Sequence, residues 1–273
     1  MGRGRKPKYV NEGFFDEESE TMHYVLGVSF GLATISDKRL IFRSKNKELI
    51  EIIKRELESQ HKIVNIESRN SHQLEIYGKG SAYLITSLKA RGLAEDKSER
   101  IFPKNIAESY LSHFDRGFFD SRGVIINTNK KINIGFYFNN AFLTDLNNGL
   151  RENAGVKKTN PENNKIVYPF NDSLRMYNFI YRDWDFIESK GLYLKRKKER
   201  FNIEKEEDVF DTDRIKIELL DGKTVEELTK ELGYSSTQSF YSAFKRVYGE
   251  TVGRFLKNEL GHDNRLYNGM NLG

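Results

Sequence analysis

Most of the chain alternates between apolar and polar positions, but two stretches are crowded with apolar and small residues. They are Tyr24-Val25-Leu26-Gly27-Val28-Ser29-Phe30-Gly31-Leu32-Ala33 and His113-Phe114-Asp115-Arg116-Gly117-Phe118-Phe119-Asp120-Ser121-Arg122-Gly123-Val124. Each reads as a helix that carries a glycine in its interior. Such a glycine costs roughly 1 kcal/mol against alanine, so a close contact has to offset it. Aligning Gly27 with Gly117 sets Gly31 opposite Ser121 and Leu32 opposite Arg122. With no side chain at the contact, two such helices approach more closely than the usual ~8–10 Å between axes.

The pattern after each helix repeats. Residues 34–45 have β character, with Asp37, Arg39 and Arg43 on one face and Leu40 and Phe42 on the other; Ile41 interrupts the alternation. Leu49, Ile50, Ile53 and Leu57 recur at helical spacing over 46–59. Strands are predicted over 62–67 and 73–77, then a helix over 81–91. The second half predicts strands near 124–127 and 131–138, a helix over 141–153, strands near 156–158 and 165–169, and a helix over 173–188. The expectation is an α+β fold: a pseudo-two-fold pair of αββαββα halves with two antiparallel sheets, each sheet covered by helices on one face and polar and free on the other. The predicted boundaries are an arm and lead-in at 1–20, halves at about 21–102 and 103–202, an acidic linker at 203–211, a helical domain at 212–262 and a tail at 263–273.

In the helical domain the first helix ends at Gly222. Thr224 caps the next, with Glu226 and Glu227 in its first turn, and Gly233 ends it. Thr237 opens a further helix carrying Phe240, Phe244 and Val247, with a polar outer face. A short helix, a glycine-led turn and a second helix form a helix-turn-helix pattern. The reading set against it is a small bundle that binds protein.

Composition narrows the function classes. With 273 residues the chain is long enough for two domains, and its 31% charged content is that of a globular protein. Lysine plus arginine exceed the acids by 45 to 40, an excess that matters only where it is clustered. Two clusters stand out: Arg3, Arg5, Lys6 and Lys8 in the arm, and Lys195, Arg196, Lys197 and Lys198 after the second half. The arm is either a minor-groove reader or a solvated tail. There is no cysteine, so disulfides and thiolate metal sites are excluded. No apolar run approaches a membrane span, and the basic N-terminus lacks the apolar segment of a secretory signal, so a cytoplasmic location is expected. The five histidines fall on separate elements without metal-ligand spacing, and the single tryptophan, Trp184, is expected in the core.

The paired glycine motifs and the connector Gly92–Pro103 resemble the single-chain LAGLIDADG homing endonucleases. The resemblance implies that the two helices form the interface between the halves and that the free sheet faces lie in a DNA major groove. It also implies that an acidic residue closing each motif binds a divalent metal over the scissile phosphates. Here those two positions hold Leu32 and Arg122. Leucine offers no oxygen to a hard cation. A guanidinium ~4 Å from a dication is repelled by at most roughly 8 kcal/mol at an effective dielectric of 20. Asp120 matches the family's inner acidic position and Asp115 lies one turn back. The C-terminal pattern resembles one AraC-type helix-turn-helix on Gly233-Tyr234, Phe240, Phe244-Lys245 and Gly249-Glu250-Thr251.

Together these imply a monomeric, sequence-specific double-stranded DNA-binding protein, a transcriptional regulator derived from an endonuclease that has lost cleavage, without cofactor or metal. RNA polymerase is a partner that such a role allows. The readings set against it are a cutting or nicking endonuclease and an intron-RNA splicing cofactor. The expected DNA contacts are Arg3, Arg5, Lys6, Arg39, Arg43, Lys45, Lys130, Lys131, Lys195, Arg196, Lys197 and Lys198, with Ser236, Thr237, Gln238, Tyr241, Lys245 and Arg246 on the recognition helix. Gln238 can take an adenine edge bidentately, a contact worth about 1–3 kcal/mol against a wrong base.

Overall fold

The computed structural model describes residues 8–36, 38–128, 131–157, 159–201, 212–234 and 236–259. The chain divides into two compact units, residues 1–201 and 202–273.

The first unit opens with helix α1 (Glu20–Leu32), whose Ser19 cap accepts the Met22 N–H at 3.1 Å. Strands β1 (Thr34–Ser36) and β2 (Arg39–Ser44), helix α2 (Lys47–Glu56), strands β3 (Ile63–Ile66) and β4 (Ser71–Ile76) and helix α3 (Lys79–Ala90) follow. The sheet is antiparallel throughout, in the order β1-β2-β4-β3. Leu40, Phe42, Leu74 and Ile76 are buried on one face. Arg39, Ile41 and Arg43 alternate with them, and Ile41 pairs with Glu75, so the alternation of β2 is unbroken.

The second half contains α4 (Glu108–Arg122), β5 (Gly123–Thr128), β6 (Lys131–Tyr137), α5 (Asn140–Ala154), β7 (Lys165–Tyr168), α6 (Phe170–Ile180), α7 (Trp184–Lys190) and α8 (Lys195–Arg200). It departs from its twin in three ways. Its sheet has three strands, β5-β6-β7. The strand expected at 156–158 is not formed at its described residues. Gly155 turns left-handed at φ 66° to end α5, and the Val156 N–H folds back toward the Leu150 carbonyl at 3.5 Å, so Val156 closes a helix instead; Lys158 lies outside the described residues. The helix expected over 173–188 is two helices, α6 ending at Ile180, whose carbonyl is capped by Arg116 at 3.1 Å. The free face of this sheet is also less polar than expected. A Cβ on Gly135 would sit 3.2 Å from Val124 and 3.3 Å from Val167, so aliphatic groups crowd its centre.

Helices α1 and α4 pack along their length at the centre of this unit. Phe30, Phe114, Phe118 and Phe142 gather beside the contact, with ring centroids 4.6 Å apart for Phe118–Phe142 and 5.6 Å for Phe30–Phe114.

The second unit contains α9 (Thr212–Leu220), α10 (Val225–Glu231), α11 (Thr237–Tyr248) and α12 (Val252–Glu259). Ile215, Leu219, Leu228, Phe240, Phe244 and Phe255 form its core. Thr224 and Glu227 make a reciprocal capping box on α10, and Ser236 with Ser239 does the same on α11.

Candidate nucleic-acid interface

The two motif helices meet backbone to backbone. A Cβ on Gly27 would lie 2.0 Å from the Phe114 carbonyl oxygen, and one on Gly117 would lie 2.0 Å from that of Tyr24. The offset that carries Gly27 onto Gly117 also carries Tyr24 onto Phe114, so the contact is reciprocal, as in a two-fold interface. Gly31 abuts the Ser121 side chain, where a Cβ would approach Oγ to 2.0 Å.

At the lower end of the pair, where α1 and α4 run into their sheets, lie Leu32 and Arg122. Leu32 is half-buried, and the Arg122 side chain folds across to the partner helix, donating from Nε to the Gly31 carbonyl at 2.8 Å. Its guanidinium lies 5.7 Å from the centre of the Phe138 ring. The nearby acids are committed elsewhere. Asp120 is buried, and its Oδ2 accepts from the Tyr24 hydroxyl at 2.8 Å and from the Leu194 N–H at 3.0 Å. Burial pushes its pKa up to about 6, with Lys197 and then Tyr24 pulling the other way. Asp115 is buried without a hydrogen-bond partner among the described residues, and burial holds its carboxyl well above the usual carboxylate range. A divalent metal therefore does not fit here: one seat offers hydrocarbon, the other a cation, and Asp120 is engaged by Tyr24 and Leu194.

Each motif helix ends on a basic side chain brought from a distant stretch of its own half. Arg100, in the connector, is fully buried and donates to the Phe30 and Ala33 carbonyls, both at 2.6 Å, and to that of Ala94 at 2.9 Å. Lys197 of α8 donates to the carbonyls of Phe119, Asp120 (3.0 Å) and Gly123 (2.6 Å). Phe30 and Ala33 correspond to Asp120 and Gly123 under the motif offset, so the two cations cap equivalent helix ends. This corrects the sequence expectation for Lys197. It is 9% exposed, its ammonium is spent on backbone carbonyls, and it is not available to a phosphate.

Arg122 is one of a group of cations at this end. Lys97 lies in the connector with Nζ 3.5 Å from the Leu32 carbonyl. Its pKa is lowered to about 8, first by burial and then by Arg122, Arg100 and Arg43. The turn carrying Lys97 is held by Asn139, whose Nδ2 donates to the carbonyls of Lys97 at 3.0 Å and Arg100 at 2.9 Å. Sequence reasoning missed Lys97 and Arg100, which stand in the connector Gly92–Pro103 where no role was assigned to either. The available signal was the repeat itself, since every feature at one motif helix invites a search for its counterpart at the other.

On the open face of the first sheet a polar chain runs across two strands. Arg39 pairs with Glu75 at 2.9 Å, Gln73 donates to Glu75 at 3.2 Å, and Arg43 donates twice to Gln73 at 2.6 and 3.0 Å. Lys45 is exposed beyond the end of β2. Of the basic run, Lys195 and Arg196 face outward and Lys198 lies 3.5 Å from the centre of the Trp184 ring. Trp184 is thereby half-buried under a cation, not in the core. Arg3, Arg5, Lys6 and Lys130 lie outside the described residues, as does the side chain of Lys131.

In the second unit Gln238 and Lys245 are exposed along α11, and Ser242 shares their face, a residue the sequence reading did not include. Ser236 is occupied as the cap, accepting the Ser239 N–H at 3.2 Å. Thr237 is half-buried, and Tyr241 packs against the core, so neither projects as freely as Gln238. The side chains of Arg246 and Val247, and the whole of Ser235, lie outside the described residues.

No family model matches the chain, and no curated protein matches it significantly. Solved structures do match in architecture. The N-terminal LAGLIDADG domain of DUF199/WhiA is 14% identical at a TM-score of 0.42, covering 62% of this chain and 89% of its own. The LAGLIDADG meganuclease I-CpaMI bound to uncleaved DNA is 13% identical at 0.44, covering 81% and 100%. Mesophilic variants of the homing endonuclease I-DmoI are 17% identical at 0.40, covering 62% and 92%. Similarity at this level assigns neither family nor activity.

Proposed function

We propose that the chain is a sequence-specific double-stranded DNA-binding protein: a LAGLIDADG-like pseudo-dimer that does not cut, joined to an AraC-like helix-turn-helix, acting as a transcriptional regulator. The observation that carries this reading is the lower end of the helix pair. A homing endonuclease needs carboxylates there, and this chain presents Leu32, Arg122 and further cations, with Arg122 tied to the opposite helix. Such an end repels a dication and attracts a phosphate backbone.

The rest of the molecule supports the same reading. The open face of the first sheet holds Arg39, Arg43, Gln73 and Glu75 in a fixed hydrogen-bonded row, the donor and acceptor mixture that reads base edges. Gln238, Ser242 and Lys245 give α11 an exposed polar face on a helix whose other side is core. Two reading modules on one chain raise affinity through effective concentration when both engage.

The test is a selection of bound duplexes from a random pool with the full chain, followed by footprinting on the winner. A single protected duplex site, with supercoiled plasmid intact in magnesium or manganese, is the expected result. Nicking or cutting of the plasmid makes the protein an endonuclease and overturns the reading. Preference for a folded intron over every duplex makes it a splicing cofactor. Gln238→Ala should relax preference at one base position; an equal loss on all sequences removes Gln238 as a base reader.

A further inference from the structure

We infer that the lower end of the helix pair is a metal-free phosphodiester site, in which Lys97, Arg122 and Arg43 hold a backbone phosphate where a catalytic metal would otherwise sit. The inference rests on the DNA-binding reading above and deepens it, because it says which atoms replace the missing metal and what they bind.

Arg122, Arg100 and Arg43 all lie close enough to Lys97 to act on its charge, and the contacts of Lys97 Nζ with the Leu32 carbonyl and of Arg122 Nε with the Gly31 carbonyl set both at the same end of α1. Among the described residues, none of them makes an ion pair. Apart from the attraction between Asp96 and Arg100 the group is uncompensated, and proteins rarely leave like charges so in a partly dehydrated site, where they repel. Arg100 is spent entirely on carbonyls and serves the fold. The other three retain donors. Arg122 uses only Nε, leaving both terminal nitrogens of its fork; Arg43 uses Nε and Nη2, leaving Nη1; and Lys97 has a single long contact. A phosphodiester has two anionic oxygens, which a guanidinium fork and an ammonium can share.

The site is also held in place. The Lys97 turn is fixed by two hydrogen bonds from Asn139, the cap residue of α5, and by the Asp96 carboxylate accepting the Ser98 N–H at 2.9 Å. Arg122 is fixed by Gly31, and Arg43 by Gln73 directly across the strand pair. The donors are thus arranged before a ligand arrives, which lowers the ordering cost of binding. Three elements of different halves contribute: β2 from the first, the connector between them and α4 from the second.

The experiment uses the full chain and its selected duplex, titrated over a salt series in EDTA and again in magnesium. Wild-type binding should persist in EDTA, and magnesium, as a competing counterion, should only weaken it. Lys97→Met should weaken binding to every duplex alike and flatten the slope of log affinity against log salt by about 0.9. Lys97→Arg, which retains the charge, should keep the wild-type slope, and Trp184 fluorescence reports whether each variant is folded. Unchanged affinity and slope in folded Lys97→Met overturns the site, as does binding that requires magnesium. If the wild type binds no duplex, the DNA reading fails first, and inorganic pyrophosphate then decides the site. Pyrophosphate binding that is lost in Lys97→Met keeps an anion site without DNA, and no binding overturns both.

Discussion

Replacing Gly27 by alanine separates the close-packed helix pair from every looser alternative, because the two make opposite predictions. In an open helix the change is stabilising by about 1 kcal/mol, since alanine has less backbone entropy to lose. Here the new methyl would lie 2.0 Å from the Phe114 carbonyl oxygen and 2.9 Å from the Phe118 nitrogen. Both obstacles are backbone, so no side chain can rotate away. Restoring an ordinary separation requires the axes to part by more than ~1 Å, and a gap of that size forfeits a quarter to a half of each dispersion contact across it. Overpacking of this kind costs roughly 1–3 kcal/mol or more. The position belongs at the top of that range, because Tyr24, Val28, Phe30, Phe114 and Phe118 beside it are all fully buried. The expected net loss is about 3 kcal/mol.

The assay is urea unfolding followed by the fluorescence of Trp184, the single tryptophan, which lies in the first unit and is therefore blind to unfolding of the second. Gly149→Ala is the internal control. Gly149 also lies within a helix of this unit, but its Cβ would meet only Leu111 at an ordinary 3.7 Å, so that variant should gain up to ~1 kcal/mol. Gly27→Ala with Gly117→Ala should cost less than the sum of the two, because one separation of the helices relieves both clashes. A Gly27→Ala protein as stable as wild type, or more so, refutes the close approach.

Lys197→Ala should cost about 3 kcal/mol by leaving three buried carbonyls of α4 and its exit short of a donor, read by the same fluorescence, with little change in the salt slope of DNA binding. Asp120 gives a pH signature. Its folded pKa of about 6 lies above the ordinary carboxylate value, so its stabilising contribution is fully present below ~pH 4 and is lost as pH rises through about 6, a fall of roughly 3 kcal/mol. Wild-type stability measured against Asp120→Asn between those pH values should show that slope, and parallel profiles would remove Asp120 as its source. Thr224→Ala should cost about 1 kcal/mol in the second unit by breaking the capping box of α10, seen as a lower helix melting temperature by circular dichroism.

Some of this molecule could be written down from the chain alone, because the information is local or periodic. The interior glycines mark a close contact wherever they occur in an apolar helix, and Gly27, Gly31 and Gly117 sit at one. Period-two alternation places Leu40 and Phe42 inside. Thr224 and Ser236 announce helix starts through chemistry that involves only the next three residues. The α+β order of the first half follows from these signals.

Tertiary structure decided the rest. A run of four cations reads the same whether it faces water or protein. Lys197 turns inward because α8 lies against the carbonyl end of α4, and its neighbours Lys195 and Arg196 remain outside. Val156 has β propensity, but the left-handed Gly155 draws it back to the end of α5. A helix predicted as continuous breaks at Ile180, where a guanidinium from another helix caps its free carbonyl. Lys97 and Arg100 stand in a polar connector whose sequence assigns neither of them a role, yet folding sets both against the end of α1. Except at Val156, where the neighbouring Gly155 decides, the deciding partner lies far away along the chain, and hydrogen-bonding groups bind whatever folding brings within ~3 Å, at any sequence distance.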